Sequence, residues 1–241
     1  MGFDSGNNQR VGLDGITSTH PTRFVGATDE YTVCVLFKKP ADGGEAYGRL
    51  VSNASSGNGN NGWEVCLAYQ NANDRRLMGL LDGAGTNVRI EIADAFSNGD
   101  VVAAFYHFSG TGNEVIYGDY NRTSLDLLKS TACDNGPFKT GNSKLRIGGC
   151  GWTATRDSAA YIYRVLIYDR LLGVPEMSWM SFSNFANRPL RGLTCEWHCR
   201  PYDQFPGDTI TNDIPDIGGS GCDLTIIEGA PEVIEPITFE V

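Results

Sequence analysis

The sequence predicts an all-β sandwich, and three observations carry that reading. Short runs rich in Val, Ile, Tyr and Phe recur between clusters of Gly, Asn, Asp and Ser, which is the pattern of many strands joined by turns. The chain of 241 residues holds 30 glycines, enough to punctuate such strands repeatedly. Two runs are apolar on both alternating faces, as expected of strands covered on both sides.

In order, the strands are expected at 31–38, 48–53, 63–69, 76–81, 88–92, 101–108, 114–118, 145–148 and 161–168. The first, Tyr31-Thr32-Val33-Cys34-Val35-Leu36-Phe37, and the last, Tyr161-Ile162-Tyr163-Arg164-Val165-Leu166-Ile167-Tyr168, are apolar on both faces except at Arg164 and are read as central strands. The polar stretch 53–62 is expected as a solvent-exposed loop. One helix is expected at 174–185, opened by Pro175 and Glu176, with Met177, Trp179, Met180 and Phe182 forming its packing face. From Asn187 the pattern changes. The chain therefore divides into a main domain, 1–186, and a C-terminal β extension, 187–241, that packs on the same domain or on a neighbouring subunit. The run 233–241 suits an edge strand, because Pro236 cannot donate to an inner ladder.

A net charge of −10 and a pI near 4.7 oppose polyphosphate, so no nucleic-acid partner is expected. No apolar stretch approaches the length of a membrane span, so no membrane is expected, and the first residues carry neither the basic nor the apolar region of a classical secretory signal. Seven cysteines cannot all pair within one chain, which points to assembly in a reducing compartment. The run Cys195-Glu196-Trp197-His198-Cys199 has the look of half a metal site. A second Cys/His pair at ligand spacing is missing, with Cys222 alone downstream, and the run is read as structural.

The order of elements from about Arg23 to Phe182 resembles the laminin-G-like branch of the concanavalin A-like lectin and glucanase superfamily. The carriers are Tyr31–Pro40, Arg49-Leu50-Val51-Ser52, Gly62-Trp63-Glu64-Val65-Cys66-Leu67 and Leu145-Arg146-Ile147-Gly148-Gly149. Most specific is the block from Ala160 to Leu172 followed by Pro175-Glu176, where a strand delivers the chain to a short helix. Downstream, Cys195-Glu196-Trp197 and the turn from Asp216 to Ile226 resemble a flanking segment in which such a turn sits between two strands. The resemblance implies a jelly-roll β-sandwich with one short helix. It also implies use in phage particles among other settings, so fold alone does not settle function.

Catalysis is not expected. Glucanases of this superfamily place two carboxylates on one face of a strand, and the nearest candidate, Glu91 with Asp94, puts them three apart on opposite faces. A Gly-x-Ser-x-Gly elbow and a phosphate loop are absent, and His20, His107 and His198 stand in unrelated contexts. A glycoside hydrolase is the disfavoured alternative. Two binding functions remain. The first expectation is a virion structural protein, a phage capsid decoration or tail-associated subunit assembled in the host cytoplasm, whose partners are virion proteins or further copies of itself. The second is an extracellular lectin or adhesin contacting cell-surface glycans, with or without Ca²⁺. Its aromatic platforms would be Trp63 and Trp152, each of which reads more readily as a core residue, with Asn60, Asn61, Asp119, Asn121 and Asp157 as polar partners.

Overall fold

Alternation of apolar residues pairs the strands into two antiparallel sheets in the computed structural model, which describes residues 10–17, 19–20, 22, 30–39, 48–54, 62–67, 75–82, 87–93, 95–109, 113–119, 126–132, 144–150, 156, 158–199, 214–218 and 222–228. Among the described residues, one sheet has seven strands: β1 (Arg10–Asp14), β3 (Arg49–Ser52), β4 (Trp63–Cys66), β5 (Leu77–Asp82), β6 (Asn87–Ile92), β10 (Lys144–Ile147) and β13 (Thr225–Glu228), in the order β13-β1-β10-β3-β4-β5-β6. The other has six: β2 (Glu30–Lys38), β7 (Val101–Ser109), β8 (Asn113–Asp119), β9 (Asp126–Ala132), β11 (Tyr161–Tyr168) and β12 (Leu193–His198), in the order β12-β11-β2-β7-β8-β9.

The period of two sorts each strand between two environments. On β2, Val33, Val35 and Phe37 enter the core between the sheets with Trp63, Val65, Tyr106, Phe108, Ile147 and Val165. Cys34 and Leu36 point the other way, with Ala103, Phe105, Leu166 and Tyr168. The helix α1 (Val174–Phe182) covers that outward face with Met177 and Met180. Both expected central strands are interior strands of the six-stranded sheet. The exception noted at Arg164 has a use: its Nη1 donates to the Phe185 carbonyl at 2.7 Å and holds the chain just beyond the helix.

Three expectations need correction. Trp179 and Phe182 are not on the packing face; they are 51% and 58% exposed, because the buried stripe of α1 is Met177, Met180 and Ser181. The helix is also shorter than expected. Asn184 and Phe185 adopt positive φ values of 48° and 63°, which ends the helical path and turns Phe185 onto Phe105, with ring centroids 5.4 Å apart. Finally, the stretch 53–62 is not polar surface at its ends. Asn53 and Ala54 are buried, and Asn53 Nδ2 donates to the Lys144 carbonyl at 2.9 Å. Gly62, with φ +156°, lies where a Cβ would strike the Asn53 carbonyl, so only glycine closes this hairpin. The terminal run 233–241 lies outside the described residues.

The C-terminal segment supplies a strand to each sheet. β12 pairs with β11, and β13 pairs with β1. The turn between them is tied to β12 by an isolated Trp197–Asp216 bridge, so this segment packs along one side of the sandwich.

Candidate functional site

Of the residues expected to meet a sugar, Trp63 is placed plainly in the core. It is 1% exposed, its Nε1 donates to the Thr22 carbonyl at 2.9 Å, and its ring lies 6.0 Å from that of Phe108. It is not a stacking platform, because alternation on β4 sends Trp63 and Val65 inward and leaves Glu64 and Cys66 on the other face. Asn60, Asn61, Asn121, Trp152 and Asp157 lie outside the described residues; Asp119 closes β8.

The strand ends that flank these residues separate them into two groups. Asp119 stands opposite Ala103 near the start of β7, Val101 stands opposite Lys38 at the end of β2, and Lys38 stands opposite Tyr161 at the start of β11. The connections after β8 and before β11 therefore leave from one end of the sandwich, from strands three positions apart, or roughly 14 Å. The link from β10 is fastened to the same end. Gly148 N–H donates to the Leu50 carbonyl, Ser158 N–H to the Gly148 carbonyl, and Arg49 N–H to the Arg156 carbonyl. The connection carrying Asn60 and Asn61 starts at the opposite end, where Arg146 of β10 pairs with Ser52 of β3. Two non-glycine residues close to position 157 have positive φ: Arg156 at 111° and Ala159 at 45°. Such backbone costs on the order of 1–3 kcal/mol and gathers at binding sites.

Glu91, one half of the rejected carboxylate pair, accepts from Arg76 at 2.8 Å and approaches Arg89 at 3.4 Å, so its charge is compensated. Asp94 lies outside the described residues.

A second constellation gathers at the side of the sandwich, where β12 faces the C-terminal turn. Cys195 Sγ donates to Cys222 Sγ across 3.0 Å, and both thiols are buried. His20 Nε2 is 3.4 Å from Cys222 Sγ, while its Nδ1 is 2.8 Å from Thr22 Oγ1. The Asp216 carboxylate completes a group with the two sulfurs, one atom from each lying within 4.8 Å of the others. Its Oδ1 accepts from the N–H groups of Glu196 at 2.8 Å and Gly218 at 2.9 Å, and its Oδ2 from Cys222 N–H at 3.3 Å. The S–H donated by Cys195, together with His20, holds the Cys222 thiol down to about 6 against the cost of burial. Cys195 is pushed the other way, because it keeps the proton shared with Cys222.

This grouping differs from the half-site suggested by residues 195–199. His198 Nε2 faces Glu196 at 2.8 Å, and Cys199 Sγ turns toward the Trp197 carbonyl. The partner of Cys195 is Cys222, 27 residues on, brought back by the turn that follows Asp216. Spacing alone offered no signal for His20. Cys195 was visible as one end of the apparent half-site, and Asp216 and Cys222 only as residues of one turn.

No family model and no curated protein matches the sequence. Solved structures do match in shape. The binding domain of botulinum neurotoxin serotype G superposes with a TM-score of 0.51 at 14% identity, over 73% of this chain and 42% of that one. The ligand-binding domain of serotype D, in complex with N-acetylneuraminic acid, gives 0.51 at 8% identity over 72% and 40%. The enzymatically active domain of tailspike protein 2 from bacteriophage CBA120 gives 0.49 at 13% identity over 79% and 28%. The fold resembles that of concanavalin A-like lectin binding domains. The chain spans less than half the length of each of these structures, and what the likeness establishes is the two-sheet sandwich with one short helix.

Proposed function

We propose that the protein is a non-enzymatic carbohydrate-binding sandwich that recognises glycan at the end where the connections after β8 and before β11 emerge. Asp119, Asn121, Trp152 and Asp157 would supply the contacts there, an aromatic face for stacking beside carboxylate and amide groups for sugar hydroxyls. The observation that carries the reading is the sandwich itself, which is similar to a toxin domain seen with N-acetylneuraminic acid. The positive φ of Arg156 and Ala159 beside Asp157 supports the choice of end. Asn60 and Asn61 lie outside the described residues and are not part of this proposal.

A second reading, a virion subunit that docks on a protein lattice, is favoured by a different observation. Val174, Trp179, Phe182, Leu190 and Ile217 are large apolar side chains left 40–73% exposed, and a protein partner would remove them from water. The two readings are compatible, with glycan bound at the end and protein against the helix side.

A glycan array run with and without Ca²⁺, on the native chain and on Trp152→Ala and Trp179→Ala, tests both. The first reading expects a specific glycan signal that Trp152→Ala abolishes and Trp179→Ala leaves intact. A signal lost only with Trp179→Ala moves the site to the helix. A folded native chain that binds no glycan, and that self-associates in light scattering until Trp179 is replaced, favours the lattice subunit.

A further inference from the structure

We propose that Cys195, Cys222, His20 and Asp216 form a binding site for a thiophilic divalent cation such as Zn²⁺, which clamps the connection between β1 and β2, the edge strand β12 and the C-terminal turn to one another. The donors are two sulfurs, one imidazole nitrogen and one carboxylate oxygen, the ligand types and number that suit tetrahedral zinc. They come from three chain segments distant in sequence and converge beside the edges of both sheets, where no ladder hydrogen bond joins β12 to β13 or β1.

Cys195, Asp216 and Cys222 already lie within 4.8 Å of one another, and His20, which among them contacts Cys222 alone, would have to swing in to complete the set. Around tetrahedral zinc two sulfurs stand about 3.8 Å apart and a sulfur and an imidazole nitrogen about 3.6 Å apart. Here the sulfurs are 3.0 Å apart and His20 Nε2 is 3.4 Å from Cys222 Sγ. The outer contacts are of the kind that orient ligands. Thr22 holds the His20 ring at Nδ1, through Oγ1 at 2.8 Å and its own N–H, which donates at 3.3 Å; metal at Nε2 requires the ring proton to move to Nδ1, with Oγ1 as its acceptor. The N–H groups of Glu196 and Gly218 fix the Asp216 carboxylate. The Trp197 indole donates to the Cys222 carbonyl at 2.7 Å and sets the backbone beneath the second sulfur. Asp216 and Gly218 are half-buried and Asp223 is exposed, so the cluster has a path to solvent. Metal uptake releases the protons held on the sulfurs. A Cys195–Cys222 disulfide would use only two of the four groups and would leave His20 and Asp216 unexplained.

The test uses the full chain, reduced, stripped with chelator and kept free of oxygen, and titrated with Co²⁺ as a spectroscopic stand-in and then with Zn²⁺. One equivalent should bind, with thiolate-to-cobalt charge transfer and the intense visible bands of tetrahedral Co²⁺, and Zn²⁺ should bleach both. Cys222→Ser should remove the charge-transfer band, while Cys34→Ser, in the layer under α1, should leave it. Thr22→Val, which touches His20 and not the metal, should weaken binding roughly 10–100-fold. A chain that is folded by circular dichroism yet shows no thiolate band overturns the proposal. So does a chain that takes up no stoichiometric metal and loses two hydrogens in mass with a Cys195–Cys222 peptide after mild oxidation.

Discussion

Each sheet has a dry patch on the face turned away from their shared core, and the two patches reach that state in opposite ways. On the six-stranded sheet Cys34, Leu36, Phe105, Leu166 and Tyr168 are apolar and lie beneath Met177, Met180 and Phe185. On the seven-stranded sheet the outer face beside Cys66, Met78 and Leu80 carries a full ion pair. Arg49 Nη2 donates to Glu64 Oε2 at 2.9 Å with both side chains 0% exposed, and Ser52 Oγ donates to the other carboxylate oxygen at 2.9 Å. An apolar face needs only cover, and its contributions spread over many contacts. A charged face needs its partner, and most of its cost falls due when one member is taken away.

The sharpest break of this symmetry is therefore Arg49→Met, which strands the Glu64 carboxylate in a dry site. We expect a loss of about 3–5 kcal/mol in urea unfolding. The double variant Arg49→Met with Glu64→Leu should recover most of it, because no charge is then left buried. A double variant as unstable as the single one would show that the pair is needed for its shape rather than for its charge balance.

On the lidded face the corresponding change is Met180→Ala. Met180 is 0% exposed and touches the sheet through a single helix. The loss of its side chain should cost about 2–4 kcal/mol, less if α1 settles toward Phe105. Relief by settling is open to a helix and closed to a salt bridge, so Met180→Leu should be nearly neutral while Arg49→Lys is not.

The same face holds a titratable group. His107 alternates with Phe105 on β7, faces Thr32 of β2, and burial lowers its pKa from 6.5 to about 4. Above pH 6.5 the ring is neutral in both folded and unfolded chains and has no effect. As the pH falls from 6.5 to 4 the unfolded chain takes up a proton that the folded one refuses, so stability drops by on the order of 3 kcal/mol at most and then levels off. Comparing the denaturant midpoints of the native chain and His107→Gln at pH 7.5 and 4.5 isolates this slope from that of the carboxylates. Equal slopes would mean that the folded ring accepts its proton without cost.

The contrast between the faces also explains what the sequence could tell. The strands at 31–38 and 161–168 were legible because both of their faces are apolar, one for the core and one for the helix. β1 and β9 were not, since Arg-Val-Gly-Leu-Asp and Asp-Leu-Leu-Lys-Ser-Thr-Ala carry little β-branched alternation and gain their conformation from their neighbours. Trp179 and Phe182 misled because an apolar helix residue reads the same whether it faces a sheet or solvent. Trp63 took the core role that its place in a strand favoured, and the strand register that turns it inward removed it from the candidate platforms. The thiol cluster was hidden by distance along the chain: nothing at position 20 announces residue 222.

The smallest effect is expected where the ion-pair chemistry of Arg49 and Glu64 is repeated in water. Arg170 grips Glu176 through both nitrogens, at 2.8 and 2.7 Å, and Glu176 also accepts from the Gly173 N–H at the start of α1 at 2.9 Å. The hydrogen bonds from Arg170 hold the Glu176 carboxyl below its ordinary value, so what it contributes is present at neutral pH and is lost as the pH falls through that lowered value. With side chains 23% and 34% exposed, solvent screens the pair. Glu176→Gln should therefore cost less than about 1 kcal/mol, and the difference should shrink further in 1 M salt. The same two side-chain types then differ several-fold in the cost of breaking them, although the exposed pair has two hydrogen bonds and the buried one a single contact. A Glu176→Gln loss as large as that of Arg49→Met would show that alignment, and not burial, sets the cost of breaking an ion pair in this sandwich.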